Sequence, residues 1–377
     1  MTSRPLRIGV AGCRRGGGFV AGVRSLADRA ELTAAYDPAP QVASQFADEH
    51  GIASVCDSFE HLVDAVDAVV LASPQQHHAP QAVFALAAGR HVLSEVPAAV
   101  SLEQARALLA ACRSSTATYM LAENYGYTRP NLIVSAMAAQ GVFGTSYYAE
   151  SEYLHEMKSW HTTSTGSPTW RYHWQVGRDG HTYPTHSLGP LLTWLDDRIT
   201  AVSCVGTGRH TDPEHAISDT VLLLGRTTRG ALLRIRLDLL SNRPHLMDFY
   251  SLQGTTGAYE SGRAGEPARV YLHGRTPDNT WEPLEAYADE FLPARYARPL
   301  EGSGHWGADS WPVLDFVAAI ETGDRAAIDV YSALDMTLPG LVSEFSIAQG
   351  GAWLAVPDPR TWTAGIGVNP GREAPLT

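Results

Sequence analysis

Short, mainly apolar runs alternate with amphipathic segments from residue 6 to residue 122, and this alternation constrains the fold more than any other feature. The apolar runs are 6–11, 32–36, 68–72, 91–94 and 118–122. Between them, 19–27, 41–49, 79–88 and 101–112 repeat apolar residues at helical spacing. The last segment opens on Ser101-Leu-Glu-Gln104, the pattern of a capping box. A strand with no polar face belongs in a sheet covered on both sides, hence a parallel one. Right-handed crossovers then give a doubly wound, Rossmann-type α/β domain.

The pattern changes after residue 125. Strands are expected at 146–154, 202–207, 219–224, 231–237, 247–253 and 269–273, several joined by short turns. That favours an open, largely antiparallel sheet in an α+β domain. Helices are expected at 311–320 and 335–347. The 377 residues suit two domains, divided at 1–125 and 126–377, with the C-terminal helices free to pack back on the first.

The turn after the first strand reads Gly12-Cys13-Arg14-Arg15-Gly16-Gly17. A glycine-rich turn between a strand and a helix is where a dinucleotide's diphosphate sits, held by backbone amides at the helix start. Arg14 stands where the second fingerprint glycine belongs, so it must point away or contact the phosphate itself. Asp37, 25 residues after Gly12, ends the second strand. An acid there accepts from the adenosine ribose hydroxyls and repels a 2′-phosphate, which favours NAD. Arg14 and Arg15 would instead favour NADP.

The formal net charge of −12, without a Lys/Arg cluster, argues against nucleic acid or anionic membrane as partners. Cys13, Cys56, Cys112 and Cys204 are widely spaced and suggest neither disulfides nor zinc. Fifteen histidines include no set at metal spacing, so no metal is expected. The start of the chain runs straight into a strand, and no apolar run approaches the roughly 18 residues of a membrane span. A cytoplasmic location is expected.

Ser73-Pro-Gln-Gln-His-His78, Gly89-Arg-His-Val-Leu-Ser-Glu-Val-Pro97 and Ala122-Glu-Asn124 resemble the motifs of the glucose–fructose oxidoreductase / inositol dehydrogenase (Gfo/Idh/MocA) family. The resemblance extends along essentially the whole chain, to Ile328-Asp-Val-Tyr331. It implies NAD held by Gly12, Cys13, Arg14, Arg15, Asp37, Ser73, Gln75, Gln76, His78, Glu95, Val96 and Asn124. It also implies a sugar or cyclitol bound on the second domain, and a homo-oligomer, dimer or tetramer. Two departures stand out. The family's E-K-P lysine is Val96, and its D-x-G-x-H reads Thr182-Tyr-Pro-Thr-His186, so the aspartate is Thr182.

With Glu152-Tyr-Leu-His155, Trp170-Arg171 and Tyr183-Pro-Thr-His-Ser-Leu-Gly-Pro190, these departures are similar to the NAD-dependent α-N-acetylgalactosaminidases of that family. NAD-dependent sulfoquinovosidases are a neighbouring branch. The likeness implies a retaining glycosidase that oxidises the sugar at C3, eliminates across C1–C2, adds water and reduces again. It implies Tyr183 and His186 at the reacting carbons and Tyr153, Arg171 and Tyr259 on the substrate. His155, in register with Tyr153 on an alternating strand, joins them. His186 suits a base for the sugar hydroxyl, because imidazole titrates near neutral pH. A phenol with pKa about 10 would suit the C2 proton once a nearby positive charge lowers it. Lys158, Arg171 and Arg178 would suit an anionic sugar, or are simply solvated. An ordinary sugar or cyclitol dehydrogenase, and a catalytically silent nucleotide-binding protein, stay open as alternatives.

Overall fold

The computed structural model describes residues 4–363 apart from 213–216, 264, 299 and 301. The chain forms two compact units. One comprises the chain to Ala122, Val313–Leu334 and the chain from Asp358; the other comprises Glu123–Pro312 and Asp335–Pro357.

Among the described residues, the first unit's sheet has six strands, all parallel. They are β1 (Leu6–Ala11), β2 (Ala30–Tyr36), β3 (Ser54–Val55), β4 (Ala68–Leu71), β5 (His91–Ser94) and β6 (Tyr119–Leu121). Their order is β3-β2-β1-β4-β5-β6, the Rossmann arrangement, with a switch point beside β1. Helices α1 (Cys13–Arg24), α2 (Pro40–His50), α3 (Phe59–Ala65), α4 (His78–Ala87) and α5 (Leu102–Ser114) link the strands. Ile8, Val10, Val70, Leu93 and Met120 of the sheet share one core with Phe19, Val20 and Phe46, and with Val313 and Phe316 of the helix Trp311–Thr322. The α5 start is capped as its sequence requires. Ser101 Oγ accepts from Gln104 N–H at 3.1 Å, while Gln104 Oε1 accepts from Val100 N–H at 3.1 Å.

One boundary differs from the reading of the sequence. The stretch 12–18 reads as a turn, yet α1 starts at Cys13 and takes Gly16, Gly17 and Gly18 into its first turns. Glycine costs about 1 kcal/mol in a helix. Packing decides the matter at Gly16, where a Cβ would lie 2.3 Å from Val10 Cγ1. At Gly17 the nearest atom is 3.9 Å away, so the close-packing glycine is Gly16 and the turn is one residue shorter than the standard fingerprint.

Among the described residues, the second unit's sheet has nine strands. They are β7 (Ser146–Leu154), β8 (Ile199–Gly206), β9 (Thr220–Thr227), β10 (Leu232–Asp238), β11 (Leu246–Gly254), β12 (Gly257–Glu260), β13 (Arg269–Leu272), β14 (Glu282–Pro283) and β15 (Leu354–Ala355). The order is β14-β13-β12-β11-β7-β10-β9-β8-β15. Only β7 with β10 is parallel; the other pairs are antiparallel. Strands β12, β14 and β15 are too short to show alternation in the sequence. The helices are α6 (Arg129–Ala139), α7 (Trp170–Trp174), α8 (Thr185–Leu195) and α9 (Ala288–Phe291), followed along the chain by Val330–Ala348. Helix α8 packs on β7 and β11 and carries His186 in its first turn.

Candidate active site

In the first unit, Gly12 caps α1 with φ +89° and ψ +73°. A Cβ there would lie 2.4 Å from the Ala72 carbonyl and 2.5 Å from Ser73 N, so only glycine fits. Gly12 offers no capping side chain and the first turn of α1 itself holds no acid, which suits the helix start to a diphosphate. Asp37 lies at the end of β2. Its Oδ2 accepts from Cys13 N–H (3.1 Å) and its Oδ1 from Ala39 N–H (3.0 Å), which ties the carboxylate to the turn.

Arg14 is exposed, whereas Arg15 Nε lies 2.5 Å from Glu95 Oε1 and its guanidinium sits over Phe19. Glu95 Oε2 accepts from the N–H of the buried Val96. His78 is buried between the carbonyls of Ser73 (2.7 Å) and Pro97 (2.9 Å). Burial lowers its pKa, and a neutral ring donates to one of the two. His78 thus ties the β4 and β5 loops together. Gln75 is buried, and Gln76 Oε1 is buried with no partner among the described residues.

In the second unit, Tyr183 and His186 bracket the α8 start, with ring centroids 4.8 Å apart and planes at 85°. Three features fix His186. Its Nδ1 lies 2.8 Å from Oε1 of Glu123, a carboxylate with no exposed surface. That contact favours the tautomer with Nδ1 protonated and Nε2 free to accept. Tyr125 stacks on its ring at 4.1 Å and 29°. Finally, Pro190 has no N–H for the carbonyl four residues back, which is that of His186. The buried Tyr250 hydroxyl donates to that carbonyl instead, at 2.6 Å. Gly189 gives Glu123 its space, since a Cβ there would lie 2.6 Å from Glu123 Cγ.

Tyr153 joins the cluster, 5.4 Å from both Tyr183 and His186 by ring centroids. Its hydroxyl lies 3.2 Å from His155 Nδ1. Burial pushes the Tyr153 and Tyr125 phenols well up, so both stay neutral hydrogen-bonding groups. His155 has its pKa lowered to about 4 by burial, then by His245 and Arg171. The Arg171 guanidinium lies over Trp170 (4.4 Å) and Trp160 (5.1 Å) and donates to Gln175 Oε1.

Other expected residues go elsewhere. Tyr259, expected on the substrate, has no exposed surface. It stands edge-on to Trp194 and bonds Ser261, because β12 places it in the core. Of the three basic side chains that would suit an anionic sugar or simply be solvated, two are tied to protein groups. Lys158 binds the Leu240 carbonyl and Asn242, and Arg178 pairs with Glu344. Asn124 donates to Asp309 at 2.6 Å, and its Oδ1 is buried without a partner among the described residues. Sequence reasoning missed Glu123, Tyr125 and Tyr250 as supports of His186. Pro190, four residues after the histidine, was the one local sign of the last.

A Rossmann unit with a glycine cradle at a helix start and an acid at the β2 terminus marks an NAD-binding enzyme of the oxidoreductase class. Residues 6–123 match the oxidoreductase family's NAD-binding Rossmann fold, and 127–364 match the glycosyl hydrolase 109 C-terminal domain. The chain belongs to the glycosyl hydrolase 109 family. It is 29% identical to a glycosyl hydrolase family 109 protein of Streptomyces filamentosus, over 89% of this chain and 70% of that one. It is 26% identical to an α-N-acetylgalactosaminidase of Shewanella oneidensis, over 75% and 67%. The fold is similar to that of levoglucosan dehydrogenase solved with NADH and L-sorbose (TM-score 0.80, 18% identity, 94% of this chain and all of that one). No helix among the described residues is long and apolar enough to cross a membrane.

Proposed function

We propose that this protein is a retaining glycosidase, acting on α-N-acetylgalactosaminides or similar glycosides, in which Tyr183 and His186 are the proton-handling pair. The observation that carries the reading is the Tyr183–His186 contact with His186 Nδ1 bound to buried Glu123. NAD, when bound, supplies a reversible oxidation of the sugar at C3, which leaves the C2 proton acidic. Gly12, Cys13, Arg14, Asp37, Ser73 and Gln76 would hold it, with Glu95 and Arg15 bracing the turn. The glycine cradle and the orphaned Gln76 Oε1 fit such a ligand.

His186 Nε2 takes and returns the proton of the C3 hydroxyl, while Glu123 stabilises the imidazolium that forms. Tyr183 oxygen takes the C2 proton as the C1 leaving-group bond breaks. Water adds at C1 on the face the leaving group left, and the C2 proton returns. Tyr153, His155 and Arg171 hold the sugar's hydroxyls and substituent. Val96, in place of lysine, leaves these proton transfers to the Tyr183–His186 pair. The four cysteines are free thiols, which suits a reducing compartment.

The test is cleavage of p-nitrophenyl α-N-acetylgalactosaminide in heavy water. Product carrying deuterium at C2, with no net NADH, is expected. Tyr183→Phe should lower cleavage by at least the roughly 10²–10⁴-fold typical of a positioned acid or base, and leave NAD binding intact. Cleaved product without C2 exchange, or normal cleavage by Tyr183→Phe, would overturn the elimination route; no cleavage together with net NADH from the sugar would favour a plain sugar dehydrogenase.

A further inference from the structure

Rings run in a row through the second unit, from Trp160 through His155, Tyr153 and Tyr125 to Trp306. Successive centroids lie 5.4, 5.9, 6.1 and 6.3 Å apart. The reactive pair touches the middle of this row at Tyr153 and Tyr125. The two ends differ in chemistry. At Trp160 the indole lies under Arg171, near His155 and His245, so that end offers many hydrogen-bonding groups. At Trp306 the neighbour is His305, and its Nδ1 is committed to the buried Asp309 (2.9 Å), which also accepts from Asn124.

Trp306 is also unlike the other exposed tryptophans. Trp160, Trp281 and Trp353 are 39–50% exposed, and each carries an arginine. Trp306 is 62% exposed, and among the described residues no guanidinium lies over it. Its backbone is left-handed (φ +57°, ψ +29°), as is that of His305 (φ +46°). Two successive non-glycine residues in that region are held there by their surroundings, here the Asp309 tether, and such conformations concentrate at ligand sites. The fold thus holds an uncovered indole edge-on to Tyr125, the ring that stacks on His186.

We propose that Trp306 is the leaving-group platform, stacking on a ring-shaped aglycone, either the apolar face of a second sugar or an aryl group. This rests on the glycosidase reading above. The sugar that is oxidised needs the hydrogen-bonding end, at Arg171 and His155. The group that departs needs only a flat apolar contact, which an indole supplies while its aromatic face excludes water.

The test compares kcat/KM of the holoenzyme for the p-nitrophenyl, lactosyl and methyl α-glycosides of one N-acetylhexosamine. Trp306→Ala should lose about tenfold on the p-nitrophenyl and lactosyl substrates, mostly through KM. It should lose less than about threefold on the methyl glycoside, which has no ring to stack. Trp306→Phe should recover most of the loss. Loss on only one of the ring substrates tells an aryl site from a sugar site, and either supports the platform. Equal loss on all three glycosides, or none on the ring-bearing pair, overturns it. A melting temperature matching wild type confirms that the exposed substitution leaves the fold intact. Should the wild type cleave no glycoside, the glycosidase reading itself fails and takes this proposal with it.

Discussion

At the scale of single residues, His186 depends on partners that touch no substrate. Glu123→Gln keeps the shape but offers an amide in place of the carboxylate that stabilises imidazolium. Cleavage should fall by roughly 10²–10⁴-fold with NAD binding unchanged, checked by steady-state rates and calorimetry. Tyr250→Phe leaves the His186 carbonyl buried with no donor. It should cost about 1–3 kcal/mol in denaturant unfolding and lower kcat more than it raises KM. Acid sensitivity should come from histidines that are buried neutral. Burial brings His181 to a pKa of about 3, and His155 to about 4. Below about pH 6.5 the unfolded chain binds these protons and the native state does not, so stability falls as pH drops from 6.5 toward 3–4. His181 has no exposed surface, and neither ring nitrogen has a partner among the described residues. His181→Leu should therefore flatten the loss between pH 6.5 and 4.5 and leave neutral-pH stability unchanged or higher. Unfolding curves at pH 7.5, 5.5 and 4.5 would show this, and an unchanged slope would refute it.

At the scale of elements, glycines decide where backbones meet. Gly12→Ala combines a left-handed φ with a contact of 2.4 Å to backbone, and should abolish NAD binding. Gly16→Ala should cost about 1–3 kcal/mol through Val10, whereas Gly17→Ala should be neutral or mildly stabilising in the α1 helix. The reverse order would return the fingerprint role to Gly17. Gly189→Ala pushes on Glu123 from within α8, so it should lower activity while leaving the Rossmann unit's melting transition in place. These contrasts were not visible in a run of three glycines, because glycine's helix cost is the same at each position and only the neighbour across the gap differs.

At the scale of the whole molecule, NAD should raise the first unit's stability by about 2.7 kcal/mol at a hundredfold excess over Kd, and NADP by less, because Asp37 stands at the end of β2. Asp37→Ala should remove about 1–3 kcal/mol of NAD binding. Equal or stronger NADP binding to the wild type would show that Arg14 outweighs the acid. The sequence by itself determined the Rossmann unit. Strands without a polar face can only be buried on both sides, and a capping box or strand–glycine–helix turn acts over a few residues. It also determined that Tyr183 and His186 are neighbours, since three residues around a helix start keep them close. Only the tertiary structure decided what surrounds them. Glu123 and Tyr250 reach His186 from 63 and 64 residues away, through contacts that leave no local pattern. The family likeness puts Tyr259 on the substrate, and a four-residue strand is too short for the sequence to show that its side chain is buried instead. Whether a side chain meets ligand or core depends on the strand packed over it, and that is set by sheet order.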